Sequence, residues 1–429
     1  MKRLISMMLI AITAIGTAMP LVASGNQNSD GEEFHQRYDL TPGAIVSVRN
    51  ISGRITIKGW RNNYADVYAI KRSRRGSADE LSRVHIDVTN SPSRLDIRTT
   101  YDRGRGNVEV EYTISVPMSV NLDSAHSTSG DVSVTEISGY AIAGSTSGAI
   151  EVRDIGDYAK AESTSGDIEV SGIKGNITAS STSGNVHVRD GGASRIGSNS
   201  GDLTISNING SADIHTHSGE VSAGQIRGNF TAGTSSGNIR ADDVTGNVRL
   251  ESISGEVTAQ KVTGSIIATS VSGKVEVTGG NDLIEVRSTS DDVIVTGAKG
   301  RIEATSTSGN VRLVDIQSSD VQASSTSSDV QYSGSLNSGG SYSFDSLSGN
   351  VRMVFPPDNC GFTLSAKTFS GNIDSDFPIN ITQMRQNGTD RRIEGTVGGG
   401  CARVKASSFS GDVQIRKTGN SRDQNKRKK

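Results

Sequence analysis

The chain has 429 residues, of which 50 are glycine, while only 33% are hydrophobic and 4% aromatic. A globular domain normally has an apolar content near about half and uses aromatic side chains for much of its buried area, so a bulky core is excluded. Disorder is not favoured either, because Val and Ile recur throughout and only seven residues are proline. The net charge of -2 does not indicate the excess of basic residues that is typical of nucleic-acid-binding proteins.

Residues 1–24 are predicted to be an export signal peptide. Lys2 and Arg3 precede an apolar run from Leu4 to about Ala18, and small residues follow at Ala23–Gly25, where cleavage is expected. The alternative is an uncleaved membrane anchor, but the run is shorter than the ~20 residues that a membrane-spanning helix needs. No later segment is apolar enough to span a bilayer. The mature chain is therefore expected in the periplasm, outside the cell or on its surface.

Residues 25–122 are predicted to form a strand-rich capping module. They lack a strict repeat, but alternating apolar residues predict strands at Asp66–Ile70, Val84–Val88, Leu95–Ile97 and Val108–Val116. The open end of a repeat fold is an unpaired strand edge that invites association. The module is expected to cover that end.

A regular repeat dominates residues 123–333. Aligned on the Gly of Ser-Thr-Ser-Gly, the successive steps in sequence position from Gly130 to Gly273 are 18, 18, 18, 17, 18, 18, 18 and 18. Half a period after most of these glycines a weaker copy follows, and each half alternates as a short strand does. The expected corner glycines are Gly130, Gly148, Gly166, Gly184, Gly201, Gly219, Gly237, Gly255, Gly273 and Gly309.

Short strands without helices between them cannot each bury an apolar face, but stacked coils can. The sequence therefore predicts an all-β fold, a single-stranded parallel β-helix (β-solenoid) in which each coil is one period long and contains two main strands and a third apolar position. Gly130 to Ser328 spans 11 periods, about 53 Å at ~4.8 Å per coil. A left-handed hexapeptide solenoid has the same period, but its coil consists of three six-residue faces. Here each coil divides into two nine-residue halves, which favours a right-handed helix.

The corners carry their own pattern. Gly is expected there because it adopts positive φ without steric penalty. The Asp or Asn that follows is expected to form a local Asx-turn; these residues are Asp131, Asp167, Asn185, Asp202, Asn238 and Asn310. A column of Thr at the same corner is expected to stack its hydroxyls, and it is too interrupted for an ice-binding array; it comprises Thr128, Thr146, Thr164, Thr182, Thr289, Thr307 and Thr326.

Residues 334–416 are predicted to be a looser β-helical section with a bulkier core. Six phenylalanines support this: Phe344, Phe355, Phe362, Phe369, Phe377 and Phe409. Cys360 and Cys401 are expected to form a disulfide, since an isolated pair in an oxidising compartment seldom has another role. Residues 417–429 are predicted to be a disordered basic tail.

Five segments together resemble a known family: Ser52–Trp60, Tyr112–Pro117, the repeated unit typified by Ser163–Val170, Phe369–Phe377 and Phe409–Ile415. In this order they are similar to the bacterial putative-adhesin β-strand-repeat family, a domain of unknown function. The resemblance covers essentially the whole mature chain. It implies an exported bacterial protein with a β-helical fold, and it brings no catalytic residues.

No catalytic, cofactor-binding or metal-binding residue is predicted. Glu151 and Glu169 would stack on neighbouring coils, as a carbohydrate-active β-helix enzyme needs, but their column is a mixed, solvated face and aromatic platforms for sugars are scarce. His187, His215 and His217 lack the Cys or carboxylates that would complete a metal site. The Gly-Gly-x-Gly-x-Asp unit of calcium-binding solenoids is absent.

These observations favour an exported, non-enzymatic β-solenoid, an adhesin or a scaffold for interactions at the envelope or cell surface. Its expected partner is a protein or glycan of the cell envelope and not a nucleic acid. Two alternatives stay open: a carbohydrate-active β-helix enzyme of the polysaccharide lyase or hydrolase type, and an accessory protein of envelope-stress signalling.

Overall fold

The computed structural model is almost entirely β, and it describes residues 31–75, 77–102, 107–387 and 390–419. The predicted signal peptide lies outside the described residues, and so does the predicted tail from residue 420 onwards.

The elements are numbered in chain order. The N-terminal part contains β1 (Glu32–Asp39), β2 (Ile45–Asn50), β3 (Ile55–Trp60), β4 (Tyr64–Ser73), α1 (Ala78–Leu81), β5 (Val84–Ser91), β6 (Arg94–Tyr101), β7 (Val108–Pro117) and β8 (Asn121–Ser127). The regular coils contain β9 (Val132–Ile137), β10 (Ala141–Ser145), β11 (Ile150–Ile155), β12 (Ala159–Ser163), β13 (Ile168–Ile173), β14 (Ile177–Ser181), β15 (Val186–Gly191), β16 (Ser194–Ser198), β17 (Leu203–Ile208), β18 (Ala212–Thr216), β19 (Val221–Ile226), β20 (Phe230–Thr234), β21 (Ile239–Val244), β22 (Val248–Ser252), β23 (Val257–Val262), β24 (Ile266–Ser270), β25 (Val275–Thr278), β26 (Ile284–Ser288), β27 (Val293–Thr296), β28 (Ile302–Ser306), β29 (Val311–Ile316), β30 (Asp320–Ser325) and β31 (Val330–Gly334). The C-terminal part contains β32 (Ser341–Ser346), β33 (Val351–Phe355), β34 (Phe362–Thr368), β35 (Ile373–Ser375), β36 (Asn380–Asn387), β37 (Asp390–Val397), β38 (Ala402–Ser408) and β39 (Val413–Lys417).

Each regular coil supplies one strand to each of two parallel sheets. In the first sheet β11 pairs with β13, with Val152 opposite Val170; in the second, β12 pairs with β14, with Ala161 opposite Ala179. This register places each residue beside its counterpart one period later, so apolar residues stack on apolar ones. The predicted parallel β-solenoid, with one period of the repeat per coil, is confirmed; its handedness stays a prediction.

The core is a narrow column between the sheets. Ile168 and Val170 are fully buried, as are Ile177 and Ala179 on the facing strand. Burial of a Val or Ile side chain contributes about 1.5–3 kcal/mol, and the column repeats this in every coil. The third apolar position is buried as predicted, at Ile137, Ile155, Ile173, Ile208, Ile226, Val244, Val262 and Ile316.

The spatial order of the coils departs from chain order at both ends. In the first sheet β3 lies between β7 and β9, and β39 lies between β33 and β35. In the second sheet β2 lies between β6 and β8, and β38 lies between β32 and β34. Antiparallel strands complete each end: β1, β4 and β5 at the N-terminal end, β37 and β36 at the C-terminal end.

The corner glycines adopt no positive φ, so the expected reason for them is wrong. A Cβ on Gly148 would lie 2.2 Å from the carbonyl oxygen of Gly130, and a Cβ on Gly166 would lie 1.9 Å from that of Gly148. Backbone stacks directly on backbone at this corner, and no side chain fits between.

Positive φ occurs instead in another column, one residue before the third apolar position. Its glycines include Gly172 and Gly297, and Asp and Asn are frequent there because they tolerate this conformation better than most residues. The other members are Glu136, Asp154, Asp190, Asn207, Gln225, Asp243, Lys261 and Asp315, with φ between 53° and 62°.

Side chains hydrogen-bond from coil to coil at the glycine corner. The buried Ser181 hydroxyl donates to the carbonyl oxygen of Gly166 (3.1 Å) and accepts from the N–H of Gly184 (2.9 Å). Asp167 accepts from the N–H of Asn185 in the next coil (2.8 Å). The acidic and amide side chains therefore form ladders between coils instead of the expected local Asx-turns.

Candidate functional site

An exposed line of side chains runs along the glycine corner, and we call it the corner row. It is formed by the second residue of each Ser-Thr-Ser-Gly unit or its equivalent. In spatial order its members are Thr128, Thr146, Thr164, Thr182, Asn199, His217, Ser235, Ile253, Val271, Thr289, Thr307, Thr326, Leu347, Phe409 and Phe369.

The backbone of the corner row is fixed. The N–H of Thr164 donates to the carbonyl oxygen of Ser145 in the preceding coil (3.2 Å), and the same bond recurs at Thr182 (3.2 Å). The buried hydroxyl of the preceding residue, such as Ser181, holds the corner from inside. The side chains of Thr146, Thr164 and Thr182 are exposed. The hydroxyl bonds between coils at this corner are made by the preceding Ser, to backbone groups of the glycines.

The corner row becomes apolar at its C-terminal end. Leu347, Phe409 and Phe369 follow the ends of β32, β38 and β34, which are neighbours in the second sheet. Their exposed fractions are 51%, 51% and 46%. The two phenyl rings stack with centroids 4.8 Å apart and planes at 6°. We call these three residues the C-terminal patch.

The expectation that all six C-terminal phenylalanines form a core is wrong for Phe369 and Phe409. Phe344, Phe355 and Phe362 are fully buried, and together with Tyr332, Tyr342 and Phe377 they form the bulkier core. A sequence motif distinguishes the exposed phenylalanines from the buried ones. Phe369 and Phe409 directly precede Ser-Gly, at the corner-row position.

An open groove of about 460 Å³ borders the C-terminal patch. Asp345 and Lys367 line it and lie on strands separated by β38. Asp345 accepts hydrogen bonds from the hydroxyls of Ser343 (3.2 Å) and Ser407. The groove thus joins the apolar side chains of the patch to one basic side chain, Lys367, and two acidic ones, Asp345 and Asp390, an arrangement suited to binding.

A second aromatic pair lies on a different edge of the solenoid. Tyr140 and Tyr158 stack with centroids 4.9 Å apart and planes at 8°. Desolvation raises the pKa of the Tyr140 hydroxyl, and the nearby Asp123 carboxylate adds to the shift. The Tyr140 phenol therefore offers a neutral hydrogen-bonding group near neutral pH.

Glu151 and Glu169 are in register on β11 and β13, and they line an open groove of about 600 Å³. Arg153 pairs with both carboxylates, Arg189 lies 3.6 Å from Glu169, and Ser133 donates to Glu151 (3.0 Å). Each of the two carboxylates therefore has an arginine partner at the surface. The geometry is that of a surface ion-pair network.

The three candidate metal-binding histidines lie on different faces. His187 is on β15 of the first sheet, His215 is on β18 of the second sheet beside Asp213 (2.8 Å), and His217 belongs to the corner row. Across the described residues, no group of three His, Cys, Asp or Glu side chains is arranged to hold a metal ion.

Cys360 and Cys401 lie side by side at the starts of β34 and β38, with Cα atoms 5.9 Å apart. This separation suits a disulfide. The bond would tie together two coils that are neighbours in space but not in sequence. Disulfide formation stays a prediction.

Residues 109–195 and 245–416 match the model of the family described as Toastrack DUF4097, and these ranges cover more than half of the chain. The chain belongs to this family. The resemblance carried by the repeated motif is thereby confirmed. The second matched range contains the C-terminal patch and both cysteines of this Toastrack protein.

Two solved structures are similar to the Toastrack chain at low identity. One is a putative cell adhesion protein from Clostridium sporogenes ATCC 15579, with 8% identity, 90% of this chain and 99% of that chain covered, and a TM-score of 0.16. The other is a putative adhesin from Parabacteroides distasonis ATCC 8503, with 13% identity, coverage of 69% and 95%, and a TM-score of 0.18. No curated protein matches. Among the described residues, no helix has the length and apolar character to cross a membrane.

Proposed function

We propose that this Toastrack protein is an exported, non-enzymatic adhesin-type scaffold that binds a protein of the cell envelope or cell surface. The C-terminal patch is the observation that carries the proposal. Exposed apolar residues scattered singly need no explanation, but contiguous apolar side chains beside a groove mark an interaction site. Leu347, Phe409 and Phe369 are such a group.

The patch favours a protein partner over a glycan. A sugar ring binds against an exposed aromatic face, and the stacking of Phe369 and Phe409 covers one face of each ring. The rest of the two rings and the Leu347 side chain remain for apolar side chains of a partner. Asp345 and Lys367 supply charged groups at the rim, where polar residues of protein interfaces normally lie.

The corner backbone makes the patch preorganised. Phe409 donates its N–H to the carbonyl oxygen of Ser346 (3.2 Å), and Ser370 donates to that of Phe409 (3.0 Å). A partner therefore orders little of this surface when it binds, which reduces the entropic cost of association.

The test is binding of the chain without residues 1–24 to cell-envelope vesicles. Phe409→Ser should lose binding by at least about tenfold, as expected for a central aromatic contact. Ile253→Ser is the matched control, because Ile253 is an exposed apolar member of the corner row in a distant coil. Protease treatment of the vesicles should abolish binding, and periodate oxidation of their glycans should not. Equal binding by both variants, or loss with periodate alone, would contradict the proposal.

The non-enzymatic part has a separate test. The chain is incubated with a panel of polysaccharides, and reducing-end release is measured for wild type and for Glu169→Gln. Arg153 occupies both carboxylates of the candidate pair, so no turnover is expected. Turnover that disappears in the Glu169→Gln variant would establish the enzyme alternative.

A further inference from the structure

The two sheets end at different places at the C-terminal end of the solenoid. The first sheet stops at β35, a strand of three residues. The second sheet continues beyond β34 with the antiparallel strands β37 and β36. At the other end both sheets are extended, the first by β4 and β1 and the second by β5. The β36–β37 hairpin is therefore an overhang with no strands of the first sheet facing it in the described structure.

The inner face of this overhang is apolar except at Arg391, which is in register with the buried Thr368 of β34. Ile393 is in register with the buried Ala366 of β34, so it lies on the side that faces the core. Met384 is in register with Ile393, and a bulge brings Ile381 to the same side. Ile381 and Met384 are 50% and 56% exposed. With Ile373, Met384 and Ile393 line a cavity of about 220 Å³.

The termini of the chain do not suit this face. Residues 420–429 contain no apolar residue. The described N-terminal part begins with β1, where Glu32 pairs with Lys71 at the opposite end of the solenoid. Neither β1 nor the composition of residues 420–429 therefore offers an apolar cover for this face.

We propose that a second copy of this chain covers the overhang in a tail-to-tail dimer. A two-fold axis midway between the sheets and parallel to the strands would place the β36–β37 hairpin of each copy where the other copy lacks first-sheet strands. Ile381 and Met384 would then pack against Ile393 of the other copy. The edge of β36 would meet the edge of β35 in the second copy, so each sheet would continue across the dimer. Such an interface is isologous, as in most homodimers.

Charge supports this pairing of edges. The sequence of β36 contains one charged residue, Arg385, and that of β35 contains one, Asp374. The two-fold brings Arg385 of one copy to the edge that carries Asp374 of the other, a carboxylate that is 63% exposed beside its own Arg416 (2.7 Å). Each hairpin face measures roughly 26 Å by 10 Å, which is less than the ~800 Å² per partner of a standard interface. Association is therefore expected to be weak and to depend on protein concentration.

Sedimentation velocity of the chain without residues 1–24, over a wide concentration range, tests the dimer. Wild type should show a reversible monomer–dimer equilibrium. Met384→Glu should weaken it at least about thirtyfold, as loss of a central contact does. Leu347→Glu is the matched control, because Leu347 is similarly exposed but belongs to the C-terminal patch. Both variants should keep the wild-type melting temperature, since neither side chain is buried.

X-ray scattering supplies the second readout. A tail-to-tail dimer should have nearly twice the maximum dimension of the monomer, whereas a side-by-side dimer should not. A wild-type chain that stays monomeric at every concentration would overturn the proposal, as would a dimer disrupted by Leu347→Glu and not by Met384→Glu. These results are separate from envelope binding, which is tested at Phe409.

Discussion

Replacing a corner glycine with alanine should destabilise the solenoid through coil spacing and not through backbone dihedrals. Gly184 is a suitable site for this test, because it follows Gly166 of the preceding coil by the full 18-residue step and its φ is not positive. A Cβ at this position would lie 2.1 Å from the carbonyl oxygen of Gly166. The obstacle is backbone, so no side-chain rotation relieves it.

The size of the effect follows from the hydrogen bonds that must stretch. Ordinary contact between such atoms needs about 3.5 Å, so the two corners must separate by roughly 1.4 Å. Ser181, Ser183 and Asn185 each make a hydrogen bond to the preceding coil, of 3.1, 3.0 and 2.8 Å. Each bond contributes about 0.5–1.5 kcal/mol. Gly184→Ala should therefore lower the free energy of unfolding by about 2–4 kcal/mol.

Urea denaturation followed by circular dichroism measures this loss. Gly197→Ala is the matched control: its Cβ would have the carbonyl oxygen of His215 at 3.7 Å as its nearest neighbour. That variant should be neutral or more stable by up to about 1 kcal/mol, because alanine restricts the unfolded chain. Equal losses for the two variants would refute the coil-spacing explanation.

The same assay tests three further positions. Ser181→Ala leaves a buried N–H and a carbonyl oxygen without their hydroxyl partner, so it should lower the free energy of unfolding by about 1–3 kcal/mol. Thr182 is exposed, and Thr182→Ala should change the free energy of unfolding by less than about 0.5 kcal/mol. Gln225→Gly should raise the free energy of unfolding by up to about 1 kcal/mol, because φ is 57° there, while Ser222→Gly in the same strand should lower it by about 0.5–1 kcal/mol. Ile168→Asp should lower the free energy of unfolding by at least about 3 kcal/mol, since it buries an unpaired charge. An unchanged unfolding midpoint for Ser181→Ala or Ile168→Asp, or a less stable Gln225→Gly variant, would contradict the corresponding assignment.

The periodicity was sufficient to predict the parallel solenoid because every coil repeats the same pattern of apolar residues. Val170 lies beside Val152 and Ala179 lies beside Ala161 because residues one period apart occupy the same position in neighbouring coils. Coil order at the ends was not predictable in this way. Nothing local in β38 indicates that it inserts between β32 and β34, because strand pairing is decided by long-range fit.

The positions of the corner glycines could be predicted from the sequence, but the physical reason for glycine at these positions could not. A one-dimensional pattern shows that Gly184 recurs, yet it does not distinguish a requirement for positive φ from a requirement for close approach. The Asp and Asn residues that adopt positive φ, such as Asp154 and Asn207, offered a usable signal, since they directly precede the third apolar position. The exposure of Phe369 could likewise have been inferred from its place before Ser-Gly.

The same argument explains why candidate interaction surfaces concentrate at the C-terminal end. A regular coil is covered on both sides by equivalent coils, so most of its apolar residues are buried, and its corner row is mainly polar except at Ile253 and Val271. The coil of β34 and β35 is the last one and has no equivalent coil on one side. At this end the corner row carries Leu347, Phe409 and Phe369, and the overhang carries Ile381 and Met384. These surfaces face in different directions, one along the corner and one along the solenoid axis. A tail-to-tail dimer would therefore leave both copies of the C-terminal patch free for a partner, and it would hold the two patches close together, which raises the avidity for a partner with repeated sites.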